Sequence, residues 1–112
     1  MLDAVNILNT MTPEYLELVA RLQELILFLE RYNEKSWSKY FIGIKEQLEN
    51  GNRQGVLTLS QMRGGMGSFS DLVICKINGH EIREEDEAKV NEELIQLAEG
   101  VFTQTRQIRA CE

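Results

Sequence analysis

The chain has 112 residues, 43% of them hydrophobic and 27% charged, with a formal net charge of −6. That composition fits one ordinary globular domain and argues against wholesale disorder. The longest apolar run, Leu25 to Leu29, is far too short to cross a membrane. The opening residues carry neither a basic start nor a small-residue cleavage site, so no secretory signal is expected. Cys75 and Cys111, distant in sequence, are expected as reduced thiols in the cytoplasm.

Residues 1–112 are expected to form a single domain, with 1–11 as a loosely attached N-terminal arm; Met11 is a second candidate start. Thr12-Pro13-Glu14 then reads as an N-cap, a first-position proline and an acid in the first turn. The helix that follows carries Leu16, Val19, Leu22, Gln23, Ile26, Leu29 and Tyr32 at helical spacing. Leu18, Leu25, Leu27 and Phe28 widen that stripe until the second half is apolar nearly all round, which predicts a central position. Ser36 is the expected cap of a second helix, with Trp37, Tyr40, Phe41, Ile44 and Leu48 inward and Ser38 on the other face. Asn50-Gly51-Asn52 ends it, and Gln54 to Met62 forms a short third helix with Val56 and Leu57 or Leu59 inward.

The stretch from Gly64 to Ile82 differs from the rest. "LVICKI" has the composition of a strand but no second strand to pair with, so Leu72, Val73, Ile74 and Ile77 are expected to be buried as a plug in the core. The last helix starts near Arg83 or Glu84 and runs to about Arg109, with Val90, Leu94, Leu97, Val101 and Ile108 inward and Ile95 and Phe102 broadening the stripe. Gly100 inside it predicts close approach of a neighbouring element. The expected fold is mainly α: a compact bundle of three to four helices with an irregular glycine-rich segment between the third and the last.

Two features bear on function. Residues 81 to 99 hold eight acids against two bases, so this segment carries the whole of the −6. Such a face disfavours nucleic acid and steers basic partners. With Val90, Leu94, Leu97 and Val101 turned inward, Glu85, Glu92, Glu93 and Glu99 are the carboxylates expected to project together. The second feature is Gly64-Gly65-Met66-Gly67-Ser68. It lacks the spacing and the Lys-Ser or Lys-Thr of a P-loop, and it follows a helix rather than a strand, so a crowded turn is favoured over a phosphate cradle. One His and two remote cysteines cannot make a tetrahedral metal site, and no cofactor is expected.

The run "GGMGSFSDLVICKINGHEI", with "RYNEKSWSKYF" upstream and "EEDEAKVNEEL" downstream, resembles an uncharacterised family of small bacterial proteins, a domain of unknown function. The shared pattern is a glutamate-tryptophan helix start, a Gly-Gly-Met-Gly-Ser-Phe-x-Asp-Leu-Val core, an Asn-Gly-His turn and a long final helix, covering about Leu22 to Arg109. The resemblance implies one compact domain and transfers no activity. The leading expectation is a small acidic cytoplasmic interaction protein, not an enzyme. In this reading it is a bacterial immunity protein that neutralises a basic toxin domain through its acidic helix, binding no nucleic acid or membrane. The alternative is a small-molecule or anion-binding module, enzymatic in one version, built from Arg63, Gly65, Ser68, Asp71 and His80.

Overall fold

The computed structural model describes residues 12–62 and 72–111. The expected arm over 1–11 and the glycine-rich stretch up to Asp71 lie outside the described residues.

Helix α1 (Pro13–Arg31) opens as the sequence predicts: Thr12 is extended and its hydroxyl accepts the Tyr15 amide at 3.3 Å. It closes on Asn33, the one described non-glycine residue with positive φ (64°). The Asn33 amide donates to Glu30 O (3.1 Å) and the Glu34 amide to Leu29 O (2.8 Å), the double closure of a Schellman cap. Helix α2 (Lys35–Glu49) follows after three residues, Tyr32 to Glu34. Its cap is therefore Glu34 and not Ser36: Glu34 Oε2 accepts the Trp37 amide at 3.0 Å. Serine is the better capping residue by propensity, but the Schellman turn has already delivered the chain to Glu34. The longer glutamate side chain then folds back onto the third amide of the helix.

A second Schellman closure ends α2, with Gly51 at φ 77°, its amide on Leu48 O (3.1 Å) and that of Asn52 on Gln47 O (2.8 Å). Asn52 Oδ1 accepts the Gln54 amide at 2.9 Å where α3 (Gln54–Met62) begins. A 3₁₀ turn over Lys76–Asn78 and another over Glu84–Asp86 lead into α4 (Glu87–Ala110). Among the described residues there is no strand.

Helix α1 packs against both α2 and α4, and α3 packs against the same two, so the four helices enclose one core. Leu18, Leu22, Leu25, Ile26, Phe28 and Leu29 of α1 meet Phe41, Ile44 and Leu48 of α2, Val56 and Leu59 of α3, and Val90, Leu94, Val101, Phe102 and Ile108 of α4. The near-continuous apolar surface of α1 is thus explained by two neighbours on different sides.

Several sequence expectations move outward. Trp37 and Leu97 pack on the edge of the core, partly buried, and Tyr40 is exposed. Leu16 and Leu27 face solvent on α1, while Ser38 is buried. Ile95, expected to broaden the inner stripe of α4, is 62% exposed. Of the predicted plug, Ile74 is fully buried and Leu72 partly, but Val73 is half exposed and Ile77 is 97% exposed.

The close approach predicted at Gly100 is made by Arg21 of α1. Its guanidinium donates to Gly100 O at 3.1 Å and lies 3.2 Å from where a Cβ would sit. A tighter approach is at Gly55, where a Cβ would come within 3.0 Å of the Leu48 side chain and 3.2 Å of Ile44 O.

Candidate functional site

The irregular segment raises an accounting question, since residues 72–82 run past three helices with no partner strand and each buried backbone group still needs a hydrogen bond. Side chains supply them. Asn91 of α4 accepts the Ile74 amide through Oδ1 and donates to Ile74 O through Nδ2, both at 2.7 Å. One carboxamide thereby does what a neighbouring strand would do. Glu87 Oε1 takes the Lys76 amide at 2.9 Å, Asn78 Nδ2 donates to Val73 O at 3.1 Å, and the Glu81 amide donates to Tyr32 O at 3.2 Å. Gly79, at φ 86°, makes the left-handed step that lets the chain reverse.

His80 is at the centre of this bracing, with only 7% of its surface exposed. The Cys75 amide donates to Nδ1 at 3.0 Å, so Nδ1 is the acceptor nitrogen and the ring proton sits on Nε2. Nε2 in turn donates to Glu34 Oε1 at 3.0 Å. The Cys75 carbonyl oxygen, 3.2 Å from Nδ1, is the acceptor available to a doubly protonated ring. Glu34 therefore closes α1 through its amide, caps α2 through one carboxylate oxygen and holds His80 through the other. Both ring nitrogens are committed, which leaves His80 no free nitrogen for general base work.

The remaining residues of the anion-site alternative, Arg63, Gly65, Ser68 and Asp71, lie outside the described residues. Among the described residues no three His, Cys, Asp or Glu side chains converge as a metal site.

The carboxylates proposed for partner binding, Glu85, Glu92, Glu93 and Glu99, are all exposed. Glu92 and Glu99 are seven residues apart on α4 and share its outward face; Glu93 is one residue, about 100°, round the helix. Ile95 sits between Glu92 and Glu99 on that face, three residues from the first and four from the second. Glu85 belongs to the preceding 3₁₀ turn and pairs with Arg83 at 3.4 Å, a contact exposed on both sides and weak for that reason. The outward stripe is thus Glu92–Ile95–Glu99 with Glu93 beside it, and Glu85 stands apart.

Sequence reading missed Glu34, Asn91 and Glu87 as the residues that organise the segment. A faint signal existed for two of them: the glutamate-tryptophan pattern at the start of α2, and an asparagine inside a helix, where its propensity is poor unless the side chain is employed.

Among the described residues the chain is therefore a four-helix bundle, with a braced segment over 72–82 leading to α4. Residues 30–83 match the family model described as Domain of unknown function (DUF6966). No curated protein and no solved structure matches the chain. The matched stretch starts at the end of α1 and includes Glu34, Cys75 and His80; the acidic outer face of α4 lies beyond it. The similarity is narrower than the Leu22-to-Arg109 span expected from the sequence.

Proposed function

We propose that the protein is a small acidic interaction protein that docks a basic partner against the outer face of α4. The observation that supports this most strongly is the Glu92–Ile95–Glu99 stripe, an apolar side chain left 62% exposed between two outward carboxylates. Single exposed apolar side chains are common on solvated faces, and it is the flanking by two carboxylates that marks this one. In an interface the carboxylates steer a positively charged partner, and desolvated aliphatic area then slows its departure. In its most specific form this reading makes the chain a bacterial cytoplasmic immunity protein whose partner is a toxin domain with a basic cleft. Of the anion-binding alternative only His80 lies among the described residues, and both of its ring nitrogens are engaged.

The test is paired affinity capture. Immobilised wild type and a Glu92→Lys/Glu99→Lys variant are compared in extracts of the source cell and against the product of the adjoining gene. A basic protein retained by wild type at low salt, released as salt rises, and lost by the variant supports the proposal. A partner held equally by both baits overturns it.

A further inference from the structure

Ile77 is the most exposed large apolar side chain among the described residues, at 97%; the others lie between 45% and 62%. It is not on a loose tip. The turn that carries it is held by Cys75 N–H to His80 Nδ1, Lys76 N–H to Glu87 Oε1, Asn78 N–H to Cys75 O and Asn78 Nδ2 to Val73 O, all between 2.9 and 3.1 Å. An apolar knob fixed in place before any encounter loses little conformational freedom on docking, the property of a good anchor residue. Glu87 reaches the amide beside it, Glu84 lies three residues before Glu87, and Glu81 follows the turn. Glu81 and Glu84 are exposed without an ion pair among the described residues. Lys76 stands beside the knob, and Arg83 is taken up by Glu85 and Asp86; with five acids against two bases over residues 76–87, the flank of the knob is net acidic.

A cavity with an apolar floor and two arginines in its lining is at the other end of α4. It measures about 310 Å³, lies between α3 and α4 and is lined by Leu59, Ser60, Phe102, Thr105, Arg106 and Arg109, with Leu59 and Phe102 as the floor. Among the described residues the two guanidinium groups hydrogen-bond only hydroxyls, Arg106 to Thr103 at 3.1 Å and Arg109 to Ser60 at 3.0 Å. Neither has a carboxylate partner among the described residues. At a rise of about 1.5 Å per residue, Glu87 and Arg106 are about 28 Å apart along the helix, so knob and cavity cannot meet within one chain.

We propose that the chain associates head to tail with a second copy of itself, Ile77 of one copy entering the Leu59–Phe102 cavity of the next while Glu81 and Glu84 face Arg106 and Arg109. Pairing like ends would set like charges against each other, so the favourable contact joins opposite ends of two copies. This goes beyond the docking face on the outside of α4 and does not depend on it.

Sedimentation equilibrium of the full chain tests the proposal. A contact built on one anchor side chain is a weak one, with an expected dissociation constant of roughly 0.1 to 1 mM, so the average mass should climb above the monomer between about 10 µM and 1 mM protein and fall back as salt is added. Ile77→Asp, at a solvent-facing position, and Arg106→Glu/Arg109→Glu should each remain monomeric, with circular dichroism confirming that both are folded. Mixed together they should form a dimer and nothing larger, since the first retains the cavity, the second retains the knob, and only one interface can close. A constant monomer mass for wild type at 1 mM overturns the proposal, as does association that survives Ile77→Asp. If the arginine reversal disturbs the end of α4, Arg106→Gln/Arg109→Gln takes its place, and persistence of association in that variant with unchanged salt response is equally decisive against the proposal.

Discussion

Glu34 and His80 tie the segment to the start of α2, and their burial gives the pair an energetic consequence. Removing the imidazole leaves the Cys75 amide and one Glu34 oxygen without their partner inside the domain. A buried group deprived of its hydrogen bond typically costs about 1–3 kcal/mol, so His80→Ala should lower urea-unfolding stability by about that amount. Glu34→Ala should cost at least as much, because it also removes the cap on the Trp37 amide. The two losses share one interaction, so the double variant should fall short of the sum by about 0.5 kcal/mol or more. Strict additivity would mean that the pair is not coupled. Asn91 makes a more local prediction. Asn91→Leu removes both partners of Ile74, and the Ile74 amide should then exchange with deuterium much faster than in wild type. Unchanged protection would show that the carboxamide is dispensable to the segment.

The helices were legible in the sequence where local chemistry and periodicity agreed. Thr12-Pro13, the stripe of α1 and the run from Gln54 to Met62 all follow from residues within one turn of each other. What failed was whatever depended on a distant residue. "LVICKI" looks like a strand because its composition is that of a strand, yet its pairing partner is the Asn91 carboxamide on another element. The plug expectation correctly placed Ile74, but three helices do not surround the whole turn, so Ile77 projects outward. Ile95 was assigned inward by hydrophobicity alone, when the angle from Leu94 already carries it off the core face. The same contrast between local and distant causes separates two glycines of the helical layer. A Cβ at Gly55 meets Leu48 at 3.0 Å, whereas one at Gly43 in α2 meets nothing within 4 Å. Gly55→Ala should destabilise by about 1–3 kcal/mol through overpacking. Gly43→Ala should instead stabilise by about 0.5–1 kcal/mol through helix propensity. Thermal melts of the two variants moving in the same direction would contradict the packing described for α2 and α3.

At the scale of the whole molecule, α4 organises the charge. Its first half and the turn before it are acidic, its last turn carries Arg109 with Arg106 just before, and each charge sign lies at the helix end whose dipole favours it. The inner face of α4 is committed to the core and its first turns to bracing the segment, so the outer stripe is free to evolve for contact without disturbing the fold. Substitutions there should change stability by no more than about half a kcal/mol. The most direct measurement of the docking proposal is the association rate of the captured basic partner with wild type and with the Glu92→Lys/Glu99→Lys variant, followed across a salt series. The proposal predicts that wild-type association slows by about tenfold or more as salt rises from low to physiological values and beyond, while the variant is already slow at low salt and nearly insensitive to it. Equal association rates for the two proteins at low salt would contradict the assignment of the α4 outer face as the docking surface.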